Sequence, residues 1–172
     1  MLCHLLKVVS EVAEGKGLHQ VSMNKQFTIG VPKAIRIGWD CAVVRAILTL
    51  KMMKDEYRHK GLRRKLLEEL RSLGISNEDV LDAMDRVPRH FFLSSAFEQF
   101  AYQNKAFQIG AGQTISKPHT VACQTELLGL LPGQKVLEIG TGSGFQCAVL
   151  CAMGYKVFSI ERQRSLYDKT RP

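Results

Sequence analysis

Residues Val136 to Gly144 read VLEIGTGSG, and FQCAVLCAM follows over residues 145–153. A short apolar run rich in β-formers stops at Gly140, three glycines then alternate with Thr141 and Ser143, and a helix-like run begins at Phe145. This order predicts a strand, a tight glycine turn and a helix. Glycine in such a turn adopts backbone conformations that other residues resist, and it lets a ligand approach the main chain without meeting a Cβ. The helix start adds unpaired N–H groups. A small ligand is expected at this turn.

Spacing chooses among ligands. A phosphate-cradling loop would end in G-K-S/T, which is absent here, so ATP hydrolysis is not supported. The dinucleotide fingerprint is G-x-G-x-x-G, whereas Gly140, Gly142 and Gly144 form G-x-G-x-G, and Phe145 holds the third glycine position. That favours a ligand without pyrophosphate. Glu161 follows Gly140 by 21 residues, at the end of a second strand predicted over YKVFSI, residues 155–160. A carboxylate there can accept hydrogen bonds from both ribose hydroxyls. Together these features fit the nucleoside and methionine parts of S-adenosylmethionine. Glu138 stands in an otherwise apolar strand, and a buried carboxylate is costly unless paired. It either faces solvent across an incompletely covered sheet or serves loop N–H groups or the ligand's ammonium, and the second reading is preferred.

Outward from the turn, helix 145–153 ends at Gly154, so the unit is βαβ, with parallel strands and a right-handed crossover. RQRSLYDKTRP, residues 162–172, can begin a further helix, but a doubly wound sheet needs more strands than the chain supplies. Upstream, a helix is expected from Ser116–Pro118, carrying Val121, Leu127, Leu128 and Leu131, with Ser116 as its N-cap. NKAFQIGAGQTISKP, residues 104–118, reads as a loop or hairpin. Leu62, Leu66, Leu67, Leu70 and Leu73 form a helical stripe stopped at Gly74. Ser76 with Asp79 resembles a capping box for a helix carrying Val80, Leu81, Met84 and Val87, and Ser95 with Glu98 does the same for a third short helix. Residues 1–52 carry no legible motif.

The chain has 172 residues, a formal net charge of +8, 45% hydrophobic and 23% charged residues. These are proportions of a globular protein, and they exclude disorder throughout. Ten of the 24 Lys/Arg lie in the first 60 residues against five Asp/Glu. The densest cluster, Lys54, Arg58, Lys60, Arg63, Arg64 and Lys65, is interrupted by Asp55 and Glu56 and reads as a solvated helix start rather than a polyanion site. The five cysteines contain no C-x-x-C, so neither a disulfide framework nor a zinc site is indicated, and a reducing cytoplasm is the simplest compartment. Cys147 and Cys151 read as buried small apolar residues. No run approaches the roughly 18–20 apolar residues of a membrane span, and a secretory signal is not expected.

Taken together, VPRHFF (87–92), FEQFAYQNKAFQIGAGQTISKPHTVACQTELL (97–128) and VLEIGTGSGFQCAVL (136–150) resemble the protein-L-isoaspartate O-methyltransferase family. The resemblance runs from about Met53 to Glu161. It implies an α/β, Rossmann-like S-adenosylmethionine-dependent methyltransferase fold with a doubly wound sheet, here truncated after the second strand and preceded by short α-helices. The divisions it suggests are an extension over 1–52, helices and a substrate-side loop over 53–118, and an incomplete first βαβ unit over 119–172. It implies methyl transfer to the carboxylate of isoaspartyl or D-aspartyl residues in damaged proteins, a repair activity in the cytoplasm, by a chain that is monomeric when complete.

Residue by residue, the resemblance places Ser116 beside the cofactor and the substrate carboxylate, and gives the methionine part of S-adenosylmethionine to Gly140, Thr141, Gly142, Ser143 and Gly144. Glu138 would support that loop and Glu161 would hold the ribose, with Gln113, Thr114 and Ile115 at the site entrance. No metal, nucleic acid or membrane is implied, and His119 is read as structural or peripheral. Residues 1–52 match nothing in the family, which makes Met53 the expected usual start. Two alternatives stand beside this reading. One is a non-catalytic fragment whose unfinished sheet pairs with another chain. The other is an RNA or small-molecule methyltransferase of the same fold; for RNA, the absence of an aromatic and basic stripe argues against it.

Overall fold

The computed structural model describes residues 5–9 and 35–38, as backbone strands, and residues 55–170. Helix α1, Tyr57–Ser72, buries Leu66, Leu67 and Leu70 and stops at Gly74, whose φ of +97° suits glycine. Leu73, assigned to the same stripe, is instead half exposed. Arg63 departs from the solvated-cluster reading. It is buried, and its guanidinium is held by Asp55 at 2.9 Å and Asp85 at 2.9 Å.

Helix α2, Glu78–Arg86, is capped by Asn77, not by Ser76: the Asn77 Oδ1 accepts from the N–H groups of Asp79 and Val80. The backbone N–H groups of Ser76 and Asn77 donate to Glu126 Oε1, at 2.9 and 2.6 Å, so that corner is tied to a distant helix instead. Two 3₁₀ turns follow, Arg89–Phe92 and Ser95–Phe100, the second without the side-chain cap expected of Ser95 and Glu98. The glycine-rich loop is a hairpin of β3, Phe107–Gly110, and β4, Gln113–Ile115. It delivers Ser116 to the start of helix α3, Pro118–Leu128. Lys117 occupies the N-cap position with no side-chain bond, so Ser116 does not cap this helix. Helix α3 buries Val121, Ala122 and Thr125, while Leu127 is exposed, as is Leu131 beyond its end.

The predicted βαβ unit is present as β5, Lys135–Ile139, helix α4, Phe145–Ala152, and β6, Lys156–Glu161, with β5 and β6 parallel. Helix α5, Arg164–Thr170, follows. What sequence did not disclose is the rest of the sheet. Strand β1, Leu5–Val9, lies antiparallel along β5, and β2, Ile35–Gly38, lies antiparallel along β6, giving the order β1-β5-β6-β2. Both edges of the parallel pair are therefore paired from within the chain.

Alternation along β5 and β6 separates two faces. Val136, Glu138, Val157, Ser159 and Glu161 are buried on one face. The opposite face carries Leu137, Ile139, Phe158 and Ile160, of which Phe158 is 44% exposed. Among the described residues the core lies on the first of these faces, formed with α4 and helices α1 to α3. Among the described residues no helix is long and apolar enough to cross a membrane.

Candidate functional site

The site forms where the buried sheet face runs out into the glycine turn. Gly140, Gly142 and Gly144 all have positive φ, +93°, +57° and +83°, a conformation that side chains resist. This explains three glycines in five positions. The turn is fixed by three main-chain contacts: Gly140 N–H to Ile160 O, Gly144 N–H to Thr141 O, and Gly142 N–H to the Glu161 carboxylate at 2.9 Å. The other Glu161 oxygen accepts from Gln163 N–H at 2.8 Å. The loop-supporting contact read for Glu138 belongs in the structure to Glu161.

Glu138 does something else. It is the register partner of Ser159 across β5 and β6, and its Oε2 accepts from the Ser159 hydroxyl at 2.5 Å and from the Cys147 thiol at 2.6 Å. Ser159 is bonded in turn to Thr141 of the glycine turn, at 2.6 Å. Glu138 is therefore buried and does not face solvent. Burial pushes its carboxyl up to about 7, and the two donors only partly offset that.

The sign of the pH dependence follows. Between about pH 4.5 and 7 the folded state keeps this proton where the unfolded chain releases it, so stability declines as pH rises through that window, by about 3 kcal/mol in all. Glu138→Gln is expected to flatten the dependence and to unfold at higher denaturant than the unsubstituted chain above pH 7. Urea titrations at pH 5 and 8 check this, and an unchanged pH slope would refute it.

Tertiary structure brings the two predicted segments together. Thr114, Ile115 and Ser116 from the hairpin side, and Glu138, Gly140, Thr141, Gly142 and Ser143 from the turn, line one pocket of about 270 Å³ including its open mouth. Gln113, Gly144 and Glu161 are outside that lining, Glu161 being joined to it through the Gly142 N–H. Val121, Phe145 and Gln146 join the lining without having been expected as site residues.

Arg89 was not anticipated as a site residue either. Its fully buried guanidinium donates to the carbonyls of Ala101 (3.0 Å), Lys105 (3.3 Å) and Ser116 (2.8 Å) and stacks 4.9 Å from the Phe145 ring centroid. It straps Ser116 to the first residue of α4. Burial without a carboxylate partner draws its pKa down to about 9, which leaves it cationic at neutral pH.

A strand, a glycine turn, a helix and a parallel strand closed by a carboxylate, faced by a hairpin that carries a hydroxyl into the same pocket, define the Rossmann-like fold of the S-adenosylmethionine-dependent methyltransferases. A sequence model of protein-L-isoaspartate(D-aspartate) O-methyltransferase matches residues 61–172, and the chain belongs to that family. It is 64% identical over 119 residues to a protein-L-isoaspartate O-methyltransferase of Cytophaga hutchinsonii, covering 69% of this chain and 54% of the relative. It is 59% identical over 119 residues to one from Christiangramia forsetii, covering 69% and 56%. Among solved structures, a protein-L-isoaspartate O-methyltransferase superposes with a TM-score of 0.55 at 30% identity, over 62% of this chain and 36% of that one. One from Plasmodium falciparum in complex with S-adenosyl-L-homocysteine gives 0.54 at 28%, over 67% and 54%. The chain spans about half the length of the curated relatives it matches.

Proposed function

We propose that this pocket takes S-adenosylmethionine and directs its methyl group to the carboxylate of isoaspartyl or D-aspartyl residues in proteins, a repair reaction of the cytoplasm. The observation that carries the reading is the single pocket shared by the glycine turn and Ser116, in a chain of this family. The donor set fits the cofactor. A turn of small residues admits its methionine part, and the buried Glu138 carboxylate at the pocket wall complements a cation.

When bound, S-adenosylmethionine would supply a methyl group on a sulfonium centre: the acceptor carboxylate oxygen would form the new C–O bond as the S–CH3 bond breaks, leaving the thioether S-adenosylhomocysteine. An isoaspartyl carboxylate, with a pKa of about 4, is already ionised at neutral pH, so the protein has no proton to remove. Its task is alignment, which in favourable cases lowers a barrier by on the order of 7–11 kcal/mol. Ser116 orients the acceptor by donating a hydrogen bond, and Arg89 holds the Ser116 main chain in place. Glu161 fixes the turn with one lone pair on each oxygen and keeps the others for ribose hydroxyls. Thr114 and Ile115, with Gln113 beside them, form the entrance through which the substrate chain passes.

The test is transfer of labelled methyl from S-adenosylmethionine to an isoaspartyl peptide, with the aspartyl isomer as control. Transfer to the isoaspartyl peptide alone is expected, and Ser116→Ala should reduce it on the order of 100-fold. Equal labelling of the two peptides ends the substrate assignment. A second reading is a chain that binds the cofactor without turning it over. Saturable S-adenosylhomocysteine binding with no methyl transfer would select that reading.

A further inference from the structure

Away from the pocket, three side chains converge where α1 begins. Asp55 stands just before the helix, His59 lies one turn further on, and His90 comes from the first 3₁₀ turn. All three are buried, and one donor atom from each lies within 4.8 Å of the others. We propose that Asp55, His59 and His90 bind one divalent first-row metal ion.

The hydrogen bonds of the cluster divide its atoms in two. On one side each candidate ligand is already oriented: Glu98 sits 3.5 Å from His59 Nε2, the Tyr102 hydroxyl is 2.8 Å from His90 Nδ1, and Arg63 grips both Asp55 oxygens at 2.9 and 3.2 Å. On the other side His59 Nδ1 and His90 Nε2 are buried with no partner. Unpaired buried nitrogens are expensive, and the two here lie in rings stacked 4.0 Å apart with their planes 23° from parallel, so one ring turns out of the stack for both nitrogens to face one ion. Each nitrogen left open is the one that a partner on the opposite ring atom would turn toward a metal, the usual arrangement around metal-bound histidine.

Charge and donor type point the same way. Asp55 and Asp85 hold the guanidinium of Arg63 while Glu98 stands beside His59, which leaves an excess of negative charge in the cluster. Two imidazoles and a carboxylate suit zinc, cobalt or nickel better than calcium or magnesium. A tetrahedral ion with bonds of about 2.1 Å spaces its donors roughly 3.4 Å apart. Closure on the ion therefore draws the donor atoms together by on the order of 1 Å and turns one imidazole out of the stack. The Asp55 oxygens can bind through lone pairs that Arg63 does not use.

The probe is Co²⁺, added to the chelator-stripped full chain. One equivalent should bind and give a visible ligand-field spectrum without a sulfur-to-cobalt charge-transfer band. Tyr102→Phe should weaken binding about tenfold, and His59→Gln or His90→Gln should abolish it in protein shown by circular dichroism to be folded. The chain's other histidines, His4, His19 and His119, provide the complementary variant: replacing all three with Gln should leave the spectrum and stoichiometry unchanged. No stoichiometric binding, a sulfur band, or loss of the signal in the triple variant would each overturn the proposal. The last two outcomes decide it even where the His59 and His90 variants do not fold.

Discussion

Replacing Arg89 with methionine is expected to lower folding stability by about 3 kcal/mol, and two opposed effects set that figure. Methionine removes a buried charge that no carboxylate neutralises, which is a gain. It also strands the carbonyls of Ala101, Lys105 and Ser116, at roughly 1–3 kcal/mol for each buried acceptor, and vacates the plane over Phe145. Three acceptors lost against one charge removed leaves a net loss. Arg89→Lys keeps the charge but not the planar fork, so it should recover only part of the stability. Two of the carbonyls belong to the turn at 101–105 and the third is that of Ser116, so the strap joins two segments. The folded fraction of Arg89→Met should therefore also bind S-adenosylhomocysteine more weakly. Urea unfolding and a binding isotherm measure the two effects, and a variant as stable as the parent would refute the strap.

A chain beginning at Asp55 should associate and lose its cooperative unfolding transition. It would lack β1 and β2, which supply nine register pairs along the two edges of β5 and β6. At about 0.5 kcal/mol per paired position these contribute several kcal/mol. That is a large part of the 5–15 kcal/mol typical of a whole domain. The exposed edges would present unpaired main-chain groups of the kind that pair with other chains. Sedimentation velocity across a concentration series is the measurement, and a monodisperse, cooperatively unfolding 55–172 chain would show that the two strands are dispensable.

Some residues declared their role in one dimension. Gly140, Gly142 and Gly144 were legible because a positive φ is a local requirement and glycine meets it at least strain. The parallel pair was legible because a helix of eight residues between two short apolar runs leaves few other topologies. Caps were harder. Asn77 took the place expected of Ser76 because Ser76 and the Asn77 N–H were drawn to Glu126, fifty and forty-nine residues away. Arg63 looked like one more solvated base, since nothing local reveals that Asp55, Asp85 and Tyr102 meet around it. A serine in an apolar strand, Ser159, was the available hint that Glu138 had a partner.

Sequence by itself determined the glycine turn, the strand and helix on either side of it, and the likeness of the QTIS loop to one family, because each rests on residue type at short spacing. Only the tertiary structure decided which carboxylate serves the turn. Glu138 and Glu161 lie on the same buried face of adjacent strands. Burial depth and the hydroxyl of Ser159 assign Glu138 to the sheet interior, while the reach of Glu161 past the strand end gives it the Gly142 N–H. The same holds for the edges of β5 and β6, since a strand's partner is chosen by long-range pairing that no local pattern encodes.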